Sequence, residues 1–243
     1  MRISLLLPIL CTAPVLGQVA SYPEVRRPES ADSGYLSNPR AVDAVLWTRD
    51  FTIPYASFLQ LHFRDTNLPE GSRLKIYAPS NAQWAQWHDA RSLADYQWFS
   101  CQFEGPTARA ELHAGPGTSG NRVLIDEVRG LLVGQPLTGD SICGSSDDRV
   151  LSNDPRACRQ DASCSAWLFS PYAVSTAGHC FSSTAGHILH FNVPLSSPSG
   201  SPRPSAPNDQ YAMEAFRIGM SAGVGADYNV AAAVRNSNTG LFP

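Results

Sequence analysis

The sequence predicts an all-β protein in two units, an N-terminal β-sandwich followed by a second, hairpin-rich unit. Three observations point there. Short runs alternate apolar and polar residues, as where Leu59, Leu61 and Phe63 alternate with Gln60 and His62, which is the pattern of a half-buried strand. Turn signals rich in Gly, Pro, Asn and Ser separate these runs. No convincing helical stretch of ten or more residues interrupts them. With 243 residues, 43% of them hydrophobic, the chain can bury the core of one large or two ordinary domains. A formal net charge of −3 provides no basic field, so neither nucleic acid nor a membrane surface is expected as a partner.

Residues 1–17 carry one positive charge at Arg2, an apolar stretch broken by Ser4, Pro8 and Thr12, and a small residue at Gly17. This is the layout of a secretory signal peptide, too short to span a bilayer. Pro8 and Pro14 oppose a buried helix. The expected compartment is therefore oxidising, extracellular or periplasmic. Residues 18–43, rich in Pro, Ser and charge, read as a mobile leader in which Arg26 and Arg27 read as solvated charge in preference to a processing site.

Residues 44–133 are assigned to the β-sandwich. Strands are expected at 58–63, 73–77, 98–103, 108–113 and 123–133, with a turn at 67–72 and a breaker at Gly115-Pro116-Gly117. Leu59, Leu61, Phe63, Leu74, Ile76, Leu112 and Ile125 are expected inside. Trp84, Trp87, Tyr96 and Trp98 read as core filling in preference to a sugar-stacking face. Residues 134–144 form a linker, and 145–243 the second unit. The polar residues that open it, Asp147, Asp148 and Asp154 among them, lack the Gly and Glu spacing of a calcium loop and read as a solvated turn.

The stretch 164–180, CSAWLFSPYAVSTAGHC, organises the second unit. Two apolar runs flank a turn at Ser170-Pro171, so a hairpin delivers His179 to a surface edge between small residues. The hairpin also brings Cys164 and Cys180 within disulfide reach, and they are expected to bridge. Without Cys11, which leaves with the signal, five cysteines remain. The pairing of Cys101, Cys143 and Cys158 stays open. The Pro/Ser-rich residues 194–207 read as a mobile surface loop.

Ser-Thr-Ala-Gly-His-Cys at 175–180 resembles the catalytic-histidine motif of trypsin-like serine proteases. Cys-Ser-Ala-Trp-Leu at 164–168 is similar to the preceding strand in the glutamyl endopeptidase branch, and Asp147-Asp148-Arg149 resembles the start of that branch's mature domain. More weakly, 59–63, 68–77 and 110–112 are similar to the region before the protease domain of lysyl endopeptidases and related secreted bacterial enzymes, which implies that 44–133 is a prosegment-like domain with a folding or inhibitory role. The resemblance implies that 145–243 is the first β-barrel of a chymotrypsin-like double-barrel protease. It also implies a monomer acting on protein or peptide substrates with no metal or cofactor. His179 would be the general base. Asp227, opening the apolar run 228–234 and 48 residues further on, would be its carboxylate partner.

The resemblance also calls for a serine in a Gly-Asp-Ser-Gly stretch, which the sequence does not contain. Gly139-Asp140-Ser141 precedes the histidine strand, and Ser221 precedes Asp227 without an acid before it. The chain is thus expected to be a fragment carrying His and Asp only, inactive as written, with apolar surface left along its open side. Two other classes remain open at this stage: a protease-like binding module without catalysis, and a secreted β-sandwich adhesin or carbohydrate binder.

Overall fold

The computed structural model describes residues 24–132, 154–162, 164–180, 182–198, 201–222 and 225–243. In the first half the strands are β1 (Glu24–Asp32), β2 (Ala44–Thr52), β3 (Ala56–Phe63), β4 (Arg73–Tyr77), β5 (Gln86–His88), β6 (Phe103–Glu104), β7 (Thr107–Ala114) and β8 (Leu124–Leu132). β7 shows why they form: Ala108, Ala110, Leu112 and Ala114 are buried while the residues between them are half-buried, because successive side chains leave a strand on opposite faces. One short helix, α1 (Ala90–Asp95), starts on a reciprocal cap. Ser92 N–H donates to the Asp89 carboxylate and Asp89 N–H donates to the Ser92 hydroxyl, which satisfies two donors the first turn would otherwise leave unpaired.

These strands build two antiparallel four-stranded sheets, ordered β1-β8-β3-β6 and β2-β7-β4-β5. Their inward residues meet in one core. Leu59, Leu61, Phe63, Leu74, Ile76, Leu112 and Ile125, the residues expected inside, are each at most 1% exposed, and full burial of side chains this size contributes about 1.5–3 kcal/mol apiece.

Three expectations for this half need correction. Part of the supposed leader, residues 24–32, is β1, paired along its length with β8 and burying Ala31 completely. It escapes detection because it is a charged edge strand whose side chains mostly face solvent. Within it Arg27 donates to Glu29 and to the Thr52 carbonyl. The strand expected at 98–103 shrinks to β6, since Gln97 and Trp98 both adopt left-handed backbone, with φ of 52° and 67°. Finally, of the aromatics expected to fill the core, Tyr96 is 1% exposed but Trp84 and Trp98 stand more than a third exposed.

In the second half β9 (Ala157–Gln160), β10 (Cys164–Leu168), β11 (Ala173–Thr176), β12 (Ile188–His190), β13 (Gln210–Ser221) and β14 (Asp227–Ala233) close into a barrel. Its order is β10-β11-β14-β13-β12-β9, all antiparallel, and β9 returns to β10. Closure leaves no sheet edge unpaired. Ala166, Val174, Leu189, Tyr211, Met213 and Ala231 fill the interior.

Part of the segment expected to be a mobile surface loop is packed instead, although Leu195, Ser196 and Pro198 are exposed. Ser201, Pro202, Pro204, Ser205 and Pro207 are buried, and Arg203 between them donates to both oxygens of Glu104 at 2.6 and 3.0 Å. Proline brings no N–H that would need a partner and loses little conformational freedom on burial, so such a segment packs at low cost. Among the described residues no helix is long and apolar enough to cross a membrane. The signal peptide, the linker 134–144, Cys143 and the Asp147-Asp148 pair lie outside the described residues.

Candidate functional site

The site begins with the hairpin β10–β11. Trp167 pairs with Ser175 and Leu168 with Val174. The turn between the strands is held by Ala173 N–H donating to the Ser170 hydroxyl at 2.9 Å. β11 ends at Thr176, and a single 3₁₀ turn, Gly178–Cys180, carries the histidine. Cys180 is bonded to Cys164, with Cα atoms 6.2 Å apart, so the turn is tethered to the start of β10. Closing a loop of 16 residues contributes about 3 kcal/mol in the chain-entropy model. Replacing both cysteines by serine is expected to lower unfolding free energy by roughly that amount in urea titrations.

Asp227 opens β14 and meets this turn with both carboxylate oxygens. His179 Nδ1 lies 2.6 Å from Oδ2, and the His179 backbone N–H donates to Oδ1 at 2.9 Å. A carboxylate accepts only, so it places the imidazole proton on Nδ1 and leaves the Nε2 lone pair as the ring's basic site. The hydrogen bond from His179 holds the Asp227 carboxyl below its usual range. The imidazole is 42% exposed and the carboxylate 28%, so the ring is open to an incoming reactant while its partner is partly shielded.

Two further residues support this contact: Gly178, one of the small residues already noted beside the histidine, and Asn229, which the sequence reading passed over. Gly178 lets the turn press onto the barrel: a Cβ there would lie 1.8 Å from the Met220 carbonyl oxygen and 2.9 Å from Asp227 Oδ1. Asn229, fully buried, donates to the Gly178 carbonyl at 2.9 Å and accepts from Arg217 at 2.7 Å. A polar residue two positions after Asp227 in an otherwise apolar run was the available signal, because period two puts both on the same face of the strand.

Cys164, His179 and Cys180 bring potential ligand atoms within 4.8 Å of one another. The two sulfurs are bonded to each other, so neither is available as a thiolate, and the residues do not fit a metal. Cys101 and Cys158 are buried and bonded to no cysteine among the described residues, and burial pushes both thiols up, which disfavours the reactive thiolate at neutral pH. Ser221 is the register partner of Asp227 on β13, and Ser141 lies outside the described residues.

Apolar side chains form a row on the outer face of the barrel, the face of β14 opposite Asp227 and Asn229. Met220 pairs with Tyr228, next to Asp227, and Ile218, Val230, Ser175 and Trp167 follow one another across β13, β14, β11 and β10. Directly paired residues share a face, and Met220, Tyr228, Ile218 and Trp167 are each about half exposed. Comparison of the chain with known protein families, with curated proteins and with solved structures returned no match.

Proposed function

We propose that the barrel is the His–Asp half of a serine-type endopeptidase: the first of two chymotrypsin-like barrels in a secreted protein, preceded by a β-sandwich. The observation that carries this reading is the double grip of Asp227 on the ring and the backbone of His179. A serine hydroxyl is a weak nucleophile at neutral pH, so a base must take its proton as it attacks the carbonyl. Nε2 of His179 is that base. Asp227 fixes the tautomer and the ring orientation and stabilises the imidazolium that forms, without itself accepting the proton. The same Nε2–H then protonates the leaving amine. A second barrel would bring the serine and the oxyanion donors to the exposed His179 ring. The disulfide suits an oxidising compartment, and the substrate class is protein or peptide.

The test is made on protein expressed with whatever coding sequence follows codon 243. A Gly-Asp-Ser-Gly segment there, together with cleavage of a protein substrate that His179→Ala lowers by about 10³-fold or more, is the expected result. A substituted serine with no turnover would instead favour a binding module. Turnover unchanged by His179→Ala would show that the chemistry lies elsewhere.

A further inference from the structure

The two halves share one buried surface. Ile188, Ala212 and Val234 of the barrel lie in the same apolar cluster as Leu59, Leu61 and Leu93 of the two-sheet unit. Around them side chains reach across in a fitted pattern. Gln102 N–H donates to Gln210 Oε1, and Gln210 Nε2 donates back to the Gln102 carbonyl, each at 2.8 Å. One glutamine side chain thereby pairs with the main chain of the other unit as a neighbouring strand would. The Gln102 side chain in turn accepts from His190 Nε2 at 3.0 Å and donates to Asp161 at 3.2 Å. The Tyr96 hydroxyl donates to the Gln210 carbonyl at 3.0 Å. Tyr96, Gln102, His190 and Gln210 are each at most 5% exposed.

A second group of contacts holds the segment that follows His179. Gln97 Nε2 donates to the Thr184 hydroxyl at 3.2 Å and to the Met213 carbonyl at 2.8 Å. Gln60 Nε2 donates to the Gly186 carbonyl at 2.9 Å. Gly186 has φ +80°, and a Cβ there would lie 2.5 Å from Arg129 Nη1 and 3.2 Å from the Phe99 ring. The left-handed backbone favours glycine here, and an added Cβ would press on the Phe99 ring and displace the end of Arg129.

We infer that the two-sheet unit is a permanent intramolecular partner of the barrel, which stays bound when the covalent connection is cut, and is not a leader released from it. On separation the polar groups regain water, so each hydrogen bond contributes little net affinity and mainly sets the register. The apolar residues supply the affinity as they leave water. The inference rests on the fit between the units and is independent of the hydrolase reading.

The test places a recognition sequence for a site-specific protease between Gly139 and Asp140 and cuts the folded full-length chain. Both fragments are expected to elute as one species in native size-exclusion chromatography at about micromolar concentration and to part only in denaturant. Separate elution in native buffer overturns the inference. In the cut protein Gln102→Ala, which strips His190 and Asp161 of a partner, is expected to weaken association about tenfold or more. Near-UV circular dichroism of the uncut variant checks that it folds. Gln97→Ala, on the rim, gives the same comparison with a smaller expected loss, about threefold. Association unchanged in both variants would overturn the assigned contact surface.

Discussion

Gly178→Ala is expected to destabilise the barrel by more than about 3 kcal/mol and to pull His179 away from Asp227. At a position whose backbone suits any residue, Gly→Ala usually stabilises by roughly 0.4–1 kcal/mol, because it restricts the unfolded chain. Gly178 has no positive φ, so the expected loss is wholly steric. The added methyl would meet the Met220 carbonyl at 1.8 Å and the Asp227 carboxylate at 2.9 Å, and the first of these is backbone of β13 that cannot rotate aside. Either the 3₁₀ turn lifts off or the β13–β14 ladder yields. Gly117→Ala is the control: with φ +68° and open space around it, it bears only the left-handed backbone penalty of about 1–2 kcal/mol. Urea unfolding and the NMR signal of the hydrogen-bonded His179 Nδ1 proton report the two effects. A Gly178→Ala protein no less stable than the control, with that signal intact, would refute the close approach.

Stability is expected to fall steeply as pH drops from about 6.5 towards 3, ahead of any carboxylate effect. His88 and His190 are 1% and 0% exposed, and burial pushes both imidazoles down to about 3. Among the described residues His88 Nδ1 meets the Ser92 hydroxyl at 3.2 Å, and its buried Nε2 has no hydrogen-bond partner. His190 is held neutral between Gln102 and the Ser205 N–H, with Arg159 opposing its charge and Asp161 favouring it.

Between the unfolded value, about 6.5, and the folded value each unfolded histidine holds a proton that its folded counterpart lacks. The unfolded state then binds more protons, and stability rises with pH and falls with acid. Two such groups give a slope of roughly 2.7 kcal/mol per pH unit, at about 1.36 each. His187 contributes in the opposite sense. Burial is the largest single influence and opposes its charge, but the hydrogen bond to Asp161 and that carboxylate's charge together raise it, so its contribution is present below about 6.5 and fades as pH rises through its folded value. Asp227 and Asp161, both lowered, lose their contributions only below about 4. Urea titrations at successive pH values measure the slope. His88→Phe, which keeps an edge-on ring against Tyr96, is expected to halve it, and an unchanged slope would remove His88 from the account.

How much of this was legible beforehand depended on how local the cause was. The alternation at 58–63 and 73–77 reports directly on which side chains face inward, and those residues proved to be the core. The hairpin at 164–176 and its flanking cysteines are set by short-range pairing, so the disulfide could be read as well. The charged strand β1 could not, since its partner β8 lies about a hundred residues away and its own side chains give no apolar signal. Nor could the shortened β6, which yields to two left-handed residues.

By itself, then, the sequence determined the all-β class, the interior of the first half and the pair of residues worth placing together. Those follow from periodicity and from chemistry carried by each residue alone. Only the tertiary structure decided that Asp227 reaches His179 at 2.6 Å, that Gly178 and Asn229 make the approach feasible, and that a Pro/Ser-rich segment is buried between the units. Such contacts join residues far apart in the chain, and their distances are set by barrel closure and by the packing of the two halves, which no local pattern encodes.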